Sequence, residues 1–383
     1  MQINIDKEYI IRIRRELHKV PELEFDLPKT LAIVRKELDA LGIPYTEELG
    51  QSSIVATLNA GKGTKTIGLR ADMDALPIQE ETGLEFSSTH PGKMHACGHD
   101  CHTAMLLGTA KALKEMEQEV PCCVKFVFQA SEEGPSGAKK LCDSGLMKDI
   151  DMMVGCHVVP GYVPGSIHLN KTCANACSHG VRIHLHGKST HASTPQYGVD
   201  AIAMAVKVYT DIQVMRARGI DPFEPVIINI GELHSGHANN IVSDYAVMSL
   251  TIRSLKNEVD ARIYQKIQKI AESAASMMGG SAEVETYKFS PALINDHGVA
   301  DGIIEAARKI VTEDKLITNK PLTMGAEDFA YYTLEKPGAI FFLGVTPYDG
   351  VTASLHNGKM LVNEDVLDVT PKVFVQFVLD QGK

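Results

Sequence analysis

Positive charge is in short supply in this chain. Over 383 residues, 38 Lys and Arg face 48 Asp and Glu, for a formal net charge of −10. Nucleic acid and anionic membrane both call for a basic surface, so neither is expected as a partner. A small acidic ligand is not excluded, because a few buried cations can dominate the local field. No apolar run approaches the ~20 residues of a membrane span. The N-terminal Met1-Gln2-Ile3-Asn4-Ile5-Asp6-Lys7 has no basic segment followed by an apolar stretch, so no secretory signal is read there. The 8 cysteines are scattered over a large chain and do not form a secreted disulfide framework. Reduced thiols and a cytoplasmic location are the expectation. Internal repeats, low-complexity tracts and long Pro/Gly/Ser linkers are also missing.

What is present is an ordinary globular composition, 44% hydrophobic and 22% charged. At ~150 residues per domain the length allows about two domains. The first third alternates helical and strand patterns. Lys7 to Lys19 has apolar residues at helical spacing. Pro28 to Leu41 has Pro in its first turn and Gly42 past its end, which marks a helix at both limits. Thr66 to Arg70, Cys122 to Phe128 and Met152 to His157 read as strands, with helices over Cys101 to Met116 and Ser136 to Met147 between them. This rhythm predicts an α/β fold with a mainly parallel sheet flanked by helices. Sites in such sheets form at the carboxyl ends of the strands.

The pattern changes near Ser178. Strands over Val181–His186, Val226–Ile230, Tyr245–Ile252 and Ala282–Tyr287 accompany long helices at Val199–Arg216 and Val259–Met277. Residues 178–291 are expected to be an inserted α+β domain. Residues 1–177 and 292–383 are expected to make one catalytic domain, with Val299–Val311, Ala339–Leu343 and Val366–Leu379 returning to it.

Ligand-type side chains lie in short contexts outside the insertion. Cys97 and His99 flank Gly98 in His95-Ala96-Cys97-Gly98-His99-Asp100-Cys101-His102. Glu132 and Glu133 follow the apolar strand at Val124–Phe128. His157 ends the next strand, and His356 sits in Leu355-His356-Asn357. Taken singly, each has an unremarkable reading as a core cysteine, a loop histidine or a solvated acidic turn. Together they supply the thiolate, imidazole and carboxylate donors that bind transition metals. Two adjacent carboxylates just past a buried strand repel unless a cation offsets them. One can hold metal while its neighbour moves protons.

The chain resembles the metal-dependent amidohydrolases that include aminoacylases, hippurate hydrolase, N-acetyl-diaminopimelate deacetylase and indole-acetyl-amino-acid hydrolases. The matching segments run in order. They include Arg14 to His18 with Pro21-Glu22-Leu23, Leu69 to Ile78, His95 to Thr103, Gln129 to Gly134, Gly155 to Val158, Gly187 to Ala192, Met324 to Phe329, and Leu355 to Asn357. The resemblance implies a zinc-aminopeptidase-like catalytic domain, an inserted lid or dimerisation domain, and two divalent metal ions. Zinc or manganese would be foremost, with nickel or cobalt possible on donor chemistry. It implies Cys97 bridging both ions, Glu133 and His356 on one, His99 and His157 on the other, Asp74 behind them, and Glu132 as general base. The Arg12 to Pro21 segment is read as structural.

In the insertion the resemblance implies that His191 reaches a neighbouring subunit's site and stabilises the oxyanion. Asn240 and Arg253 would hold substrate, the Arg through a carboxylate. Gly325 would let backbone approach the substrate. The expected function is hydrolysis of an N-acyl, foremost N-acetyl, amino acid by a homodimer or higher homo-oligomer. A metallo-dipeptidase or carboxypeptidase using the same residues is the rival among enzymes. A metal-dependent binding protein without catalysis, or a thiol or metal store, is the rival of another class. Loss of Glu132 or His191 would have favoured the non-catalytic reading, and both are present.

Overall fold

The computed structural model describes residues 3–383. The chain divides into two compact units. One runs to Ala174 and also holds Ile294–Leu322 and Asp328–Lys383; the other holds Asn175–Leu293 with Thr323–Glu327.

The first unit is built on an eight-stranded sheet. Its centre is four mutually parallel strands in the order Cys123–Gln129, Thr66–Asp72, Met152–Val159 and Gly338–Gly344. These strands are buried along almost their whole length, as a sheet covered by helices requires. Ile54–Leu58 adds antiparallel to Cys123–Gln129, and Tyr45–Thr46 pairs antiparallel with it in turn. At the other side Ile167–His168 runs antiparallel to Gly338–Gly344 and parallel to Leu316–Ile317.

The flanking helices are set by local signals. Asp6 caps Lys7–His18 by accepting from the Tyr9 N–H at 3.0 Å. Pro28–Leu41 stops at Gly42, which takes φ 65°. Lys7–His18, Pro28–Leu41, His99–Glu115, His297–Arg308 and Val369–Gln381 all contribute to one apolar core with the sheet. Ser136–Met147, read as one helix, is two pieces. A helix over Gly137–Asp143 ends before Gly145, whose φ is 90°, and a 3-10 turn follows at Leu146–Asp149. The glycine supplies a left-handed conformation that a continuous helix cannot include.

The second unit is an antiparallel four-stranded sheet, Val226–Ser235, Tyr245–Ser254, Cys177–His186 and Ser281–Ser290 in spatial order. Along Cys177–His186 the alternating Val181, Ile183 and Leu185 are fully buried. They share an apolar cluster with the helices Ala201–Arg218 and Asn257–Met277. Asp200 caps the first of these helices by accepting from the Ile202 and Ala203 N–H groups. A two-stranded ladder, Thr190–His191 with Ile241–Val242, lies apart from the main sheet. No described helix is long and apolar enough to cross a membrane.

Candidate metal centre

The parallel strands deliver their carboxyl ends side by side. Asp72 pairs in register with Gln129, and His157 with Phe342. Just past the end of Thr66–Asp72 stands Asp74. Its Oδ1 accepts from the Glu132 N–H at 2.9 Å and its Oδ2 from the Glu133 N–H at 3.1 Å. One carboxylate therefore fixes the turn that carries the carboxylate pair. Ser131 enters that turn at φ 54°.

The Cys97–His99 segment opens the helix His99–Glu115. Gly98 has φ 84°, and a Cβ there would come within 2.4 Å of Val158 Cγ2. Only glycine lets this loop lie against the His157 strand. His356, at φ 62°, donates its backbone N–H to the Ala96 carbonyl at 2.8 Å. That bond ties a loop from the far end of the chain to the cysteine segment.

The donor atoms converge. Those of Cys97, His99 and His157 lie within 4.8 Å of one another, as do those of Cys97, Glu133 and His356, and those of His99, Glu132 and Glu133. Cys97 Sγ is 3.4 Å from His157 Nε2, and His356 Nε2 is 2.9 Å from Glu133 Oε1. His157 donates Nδ1–H to the Val158 carbonyl at 2.7 Å, which turns the lone pair of Nε2 toward the thiol. Neither ring nitrogen of the fully buried His99 makes a hydrogen bond, although Asp74 Oδ1 lies 3.4 Å from Nδ1.

His102 and Asp72 also lie close to His99, but their own bonds occupy them. His102 shares a 2.5 Å hydrogen bond through Nδ1 with Asp72 Oδ1 and accepts the Val158 N–H at Nε2, 2.8 Å away. Asp72 Oδ2 accepts from Arg70 at 2.6 Å.

Burial governs the electrostatics. It pushes the Cys97 thiol well up, against the opposing pull of His99. It pushes the His157 imidazole down to about 3, with His102 adding to the effect. Burial also raises Glu133, but the His356 hydrogen bond and the His99 charge outweigh it and hold the carboxyl below its ordinary value. A buried thiol, imidazoles and a carboxylate pair in one small volume need positive charge. Divalent cations fit this donor set and give the bare nitrogens of His99 a partner.

Support for the centre reaches further than the motifs indicated. Arg70, only 2% exposed, donates to Gln129 Oε1, Asp72 Oδ2 and Asp328 Oδ1 at 2.6–2.8 Å. Asp328 also accepts from Ser136 Oγ and the Ala138 N–H. Arg14 and His18 both reach Asp100 Oδ2, at 2.8 and 2.7 Å, directly beside His99. The N-terminal helix is thus structural with respect to chemistry, yet it anchors the first turn of the helix that begins at His99. The signal for Arg70 was an arginine inside an otherwise apolar strand. Its aspartate partner stands in the Met324 to Phe329 segment, where nothing local marks the pairing.

The remaining candidates lie in the second unit. His191 is exposed, and its Nδ1 accepts the Ser193 N–H at 3.1 Å and lies 2.7 Å from Ser193 Oγ. Asn240 is exposed next to it, its carbonyl accepting the Ala192 N–H at 2.9 Å. Arg253 is half-buried on Tyr245–Ser254, between Ile227 and Ser178, and burial lowers its pKa. A Cβ on Gly325 would meet nothing nearer than 3.9 Å, so the chain's own packing does not demand glycine there. All 8 cysteines are buried thiols.

Comparison with known proteins places this arrangement. Residues 68–380 match peptidase family M20/M25/M40. The chain belongs to that family. It is therefore a metal-dependent hydrolase. It is 36% identical over 366 residues to thermostable carboxypeptidase 1 of Saccharolobus solfataricus, covering 94% of this chain and 92% of that one. It is 32% identical over 375 residues to N-acetyldiaminopimelate deacetylase of Priestia megaterium, covering 97% and 98%. It is similar in structure to the Bacillus subtilis YXEP protein, described as a dinuclear metal binding peptidase from the M20 family. There the TM-score is 0.85, at 28% identity, over 98% of both chains. A chain from methicillin resistant Staphylococcus aureus superposes with a TM-score of 0.94 at 30% identity, over 98% of this chain and 97% of that one.

Proposed function

We propose that this M20-family hydrolase cleaves the amide bond of N-acyl, foremost N-acetyl, amino acids and releases a carboxylate and the free amino acid. The observation that carries the reading is the double membership of Cys97. Its sulfur belongs both to the group with His99 and His157 and to the group with Glu133 and His356. A thiolate in that position suits a bridge between two ions. Zinc or manganese is the expected pair, with nickel or cobalt also suited to the donors. Such cations supply the polarisation of the carbonyl and the acidity of the attacking water.

The chain's own groups do the rest. Glu132 takes the proton of the attacking water and delivers it to the leaving nitrogen. Glu133, beside it, is the ligand of the two, its carboxylate grouped with the Cys97 sulfur and the His356 imidazole. His191 donates to the developing oxyanion from a second copy of the chain. With Nδ1 engaged by Ser193, its Nε2 is left to act. Arg253 and Asn240 hold the substrate, the Arg through the amino-acid carboxylate, and Gly325 leaves room for the substrate against backbone. Homodimerisation of residues 178–291 is supported by Ile202, Val206 and Tyr209, exposed at 43%, 58% and 45% along one helix face.

A carboxypeptidase or dipeptidase is the second reading, favoured by the name of the Saccharolobus relative. Both reactions release an amino acid bearing a free carboxylate and differ on the acyl side. N-acetyl-L-cysteine deacetylase of Bacillus subtilis, 33% identical over 338 residues, supports the deacylase. The test is release of free amino acid by the metal-loaded protein from N-acetyl amino acids and from dipeptides of the same C-terminal residue. Turnover of the N-acetyl series supports the proposal. Turnover confined to dipeptides contradicts it.

A further inference from the structure

One buried cation has no counter-ion and no place in the mechanism above. Lys320 is 4% exposed. Its Nζ donates only to the Pro321 carbonyl, at a long 3.4 Å, and no described carboxylate forms an ion pair with it. Burial lowers its pKa, and the nearby Cys173 thiol offsets only part of that. A buried ammonium lacking a paired charge is strongly disfavoured unless something supplies an anion.

Its position gives that anion a source. The ammonium sits 4.3 Å from the ring centre of Phe342. Phe342 is the register partner of the ligand His157 on one side and of His168 on the other, so the three share one face of the sheet. The rings of His157 and Phe342 are 6.4 Å apart. His168 contributes a buried Nδ1 without a hydrogen-bond partner, while its Nε2 is 2.7 Å from Ser166 Oγ. The Lys320 backbone N–H reaches the carbonyl of Leu169, the residue after His168, at 3.4 Å, so the two side chains stem from adjoining segments. Phe342 therefore stands between the ligand His157 on one strand and the unused imidazole nitrogen of His168 on the other, with the Lys320 ammonium over its ring.

We infer that Lys320, with His168, forms a carboxylate-receiving subsite beside the metal centre and selects substrates by that charge. The inference rests on the proposed amidohydrolase reading for the identity of the substrate. The carboxylate is either one borne by the acyl group or the α-carboxylate of the amino acid, in which case Lys320 takes the role given above to Arg253. Either would give Lys320 its missing counter-ion. A neutral acyl amide would leave the ammonium buried and unpaired.

Two probe pairs separate the sources. N-acetylalanine against N-acetylalaninamide varies the α-carboxylate. N-succinyl-alaninamide against N-butyryl-alaninamide varies a carboxylate on the acyl side. Dissociation constants are measured by calorimetry on metal-loaded protein carrying Glu132→Gln, to limit turnover, with Lys320 intact or changed to Met or Gln. The expected result is that the carboxylate preference in one pair falls at least tenfold in both Lys320 variants. The uncharged members should bind within twofold of their original strength. The pair that responds names the source. Unchanged preferences in both pairs overturn the inference, as does equal weakening of charged and uncharged members. Lys320→Arg serves if the neutral variants do not fold: it should retain the preference, and its loss there would also overturn the inference. Wild-type turnover of the same probes is read separately. No hydrolysis of any would reject the amidohydrolase reading while leaving the binding ratios interpretable.

Discussion

Replacing Gly98 by alanine should damage the metal centre through strain alone, without touching a ligand. At φ 84° a side chain costs about 1–2 kcal/mol. The added Cβ would also stand 2.4 Å from Val158 Cγ2, well inside van der Waals contact. Forcing a methyl into a packed site typically adds about 1–3 kcal/mol. Together the strain is about 2–5 kcal/mol, and it falls on the residue joining Cys97 to His99. Each 1.4 kcal/mol that the loop passes to the site weakens metal binding about tenfold, so Gly98→Ala should bind metal ten- to a hundredfold more weakly. Val158→Ala removes the colliding methyl. By itself it should cost about 1–2 kcal/mol of stability, from two buried methyls at about 0.8 each. The bonds that Val158 makes to His102 and His157 are from its backbone and survive the change. In the double variant the steric part should be recovered, giving a favourable coupling of about 1–3 kcal/mol, while the φ strain remains. The assay is competition with a chromophoric chelator on all four proteins, with melting temperatures of the metal-free forms alongside. Wild-type metal affinity in Gly98→Ala, or no coupling with Val158→Ala, would refute the reasoning.

Further expectations follow from the same geometry. Glu132→Gln should retain metal and lose at least a hundredfold in turnover, as expected for losing general-base catalysis; Glu133→Gln should lose metal as well, and metal analysis beside kcat separates them. Glu80 is raised by burial but lowered more by His18, Thr82 and the Ser88 N–H, to about 2. Its contribution to stability is therefore complete above the ordinary carboxylate value of 4.5 and is lost as pH falls toward about 2. Glu80→Gln should flatten the stability profile across that window, and an unchanged acid limb in chemical denaturation would contradict this. If His191 acts across a dimer, mixing inactive Glu132→Ala and His191→Ala subunits should return about a quarter of wild-type activity, because about half the dimers are mixed and each has one intact site of two. No recovery after verified subunit exchange would place His191's action within its own subunit or remove it from the reaction.

The elements that could be read in advance are those with punctuation at their ends. Pro28–Leu41 was delimited by a first-turn proline and by Gly42. The helix read from Cys101 begins at His99, because the left-handed Gly98 ends the loop sooner than the apolar pattern indicates. Ile54–Leu58 is a five-residue strand that is not among the expected elements, although turn residues flank it: Gly50 and Ser52 before it and Asn59 and Gly61 after it take positive φ. Its partner Cys123–Gln129 is remote in the chain, and pairing of that kind leaves no local trace. The ligand-type residues are visible because each sits in a short motif: Glu132, Glu133 and His157 at or near strand ends, Cys97 and His99 at a helix start, and His356 in a loop. The Arg70–Asp328 and Arg14–Asp100 pairs are not, since buried ion pairs depend on which distant segments the fold brings together. Lys320 is hidden for the same reason: a lone lysine in a loop carries no local sign of burial.

The most direct test of the central claim is a metal titration. Protein stripped with a chelator is reloaded stepwise with zinc or manganese, while bound metal and release of free amino acid from N-acetyl amino acids are followed together. The account predicts no turnover in the stripped protein, binding of two ions per chain, and activity that returns with them. It also predicts that the Cys97→Ser protein fails to retain the pair. Full activity in the stripped protein, or undiminished metal binding in Cys97→Ser, would contradict it.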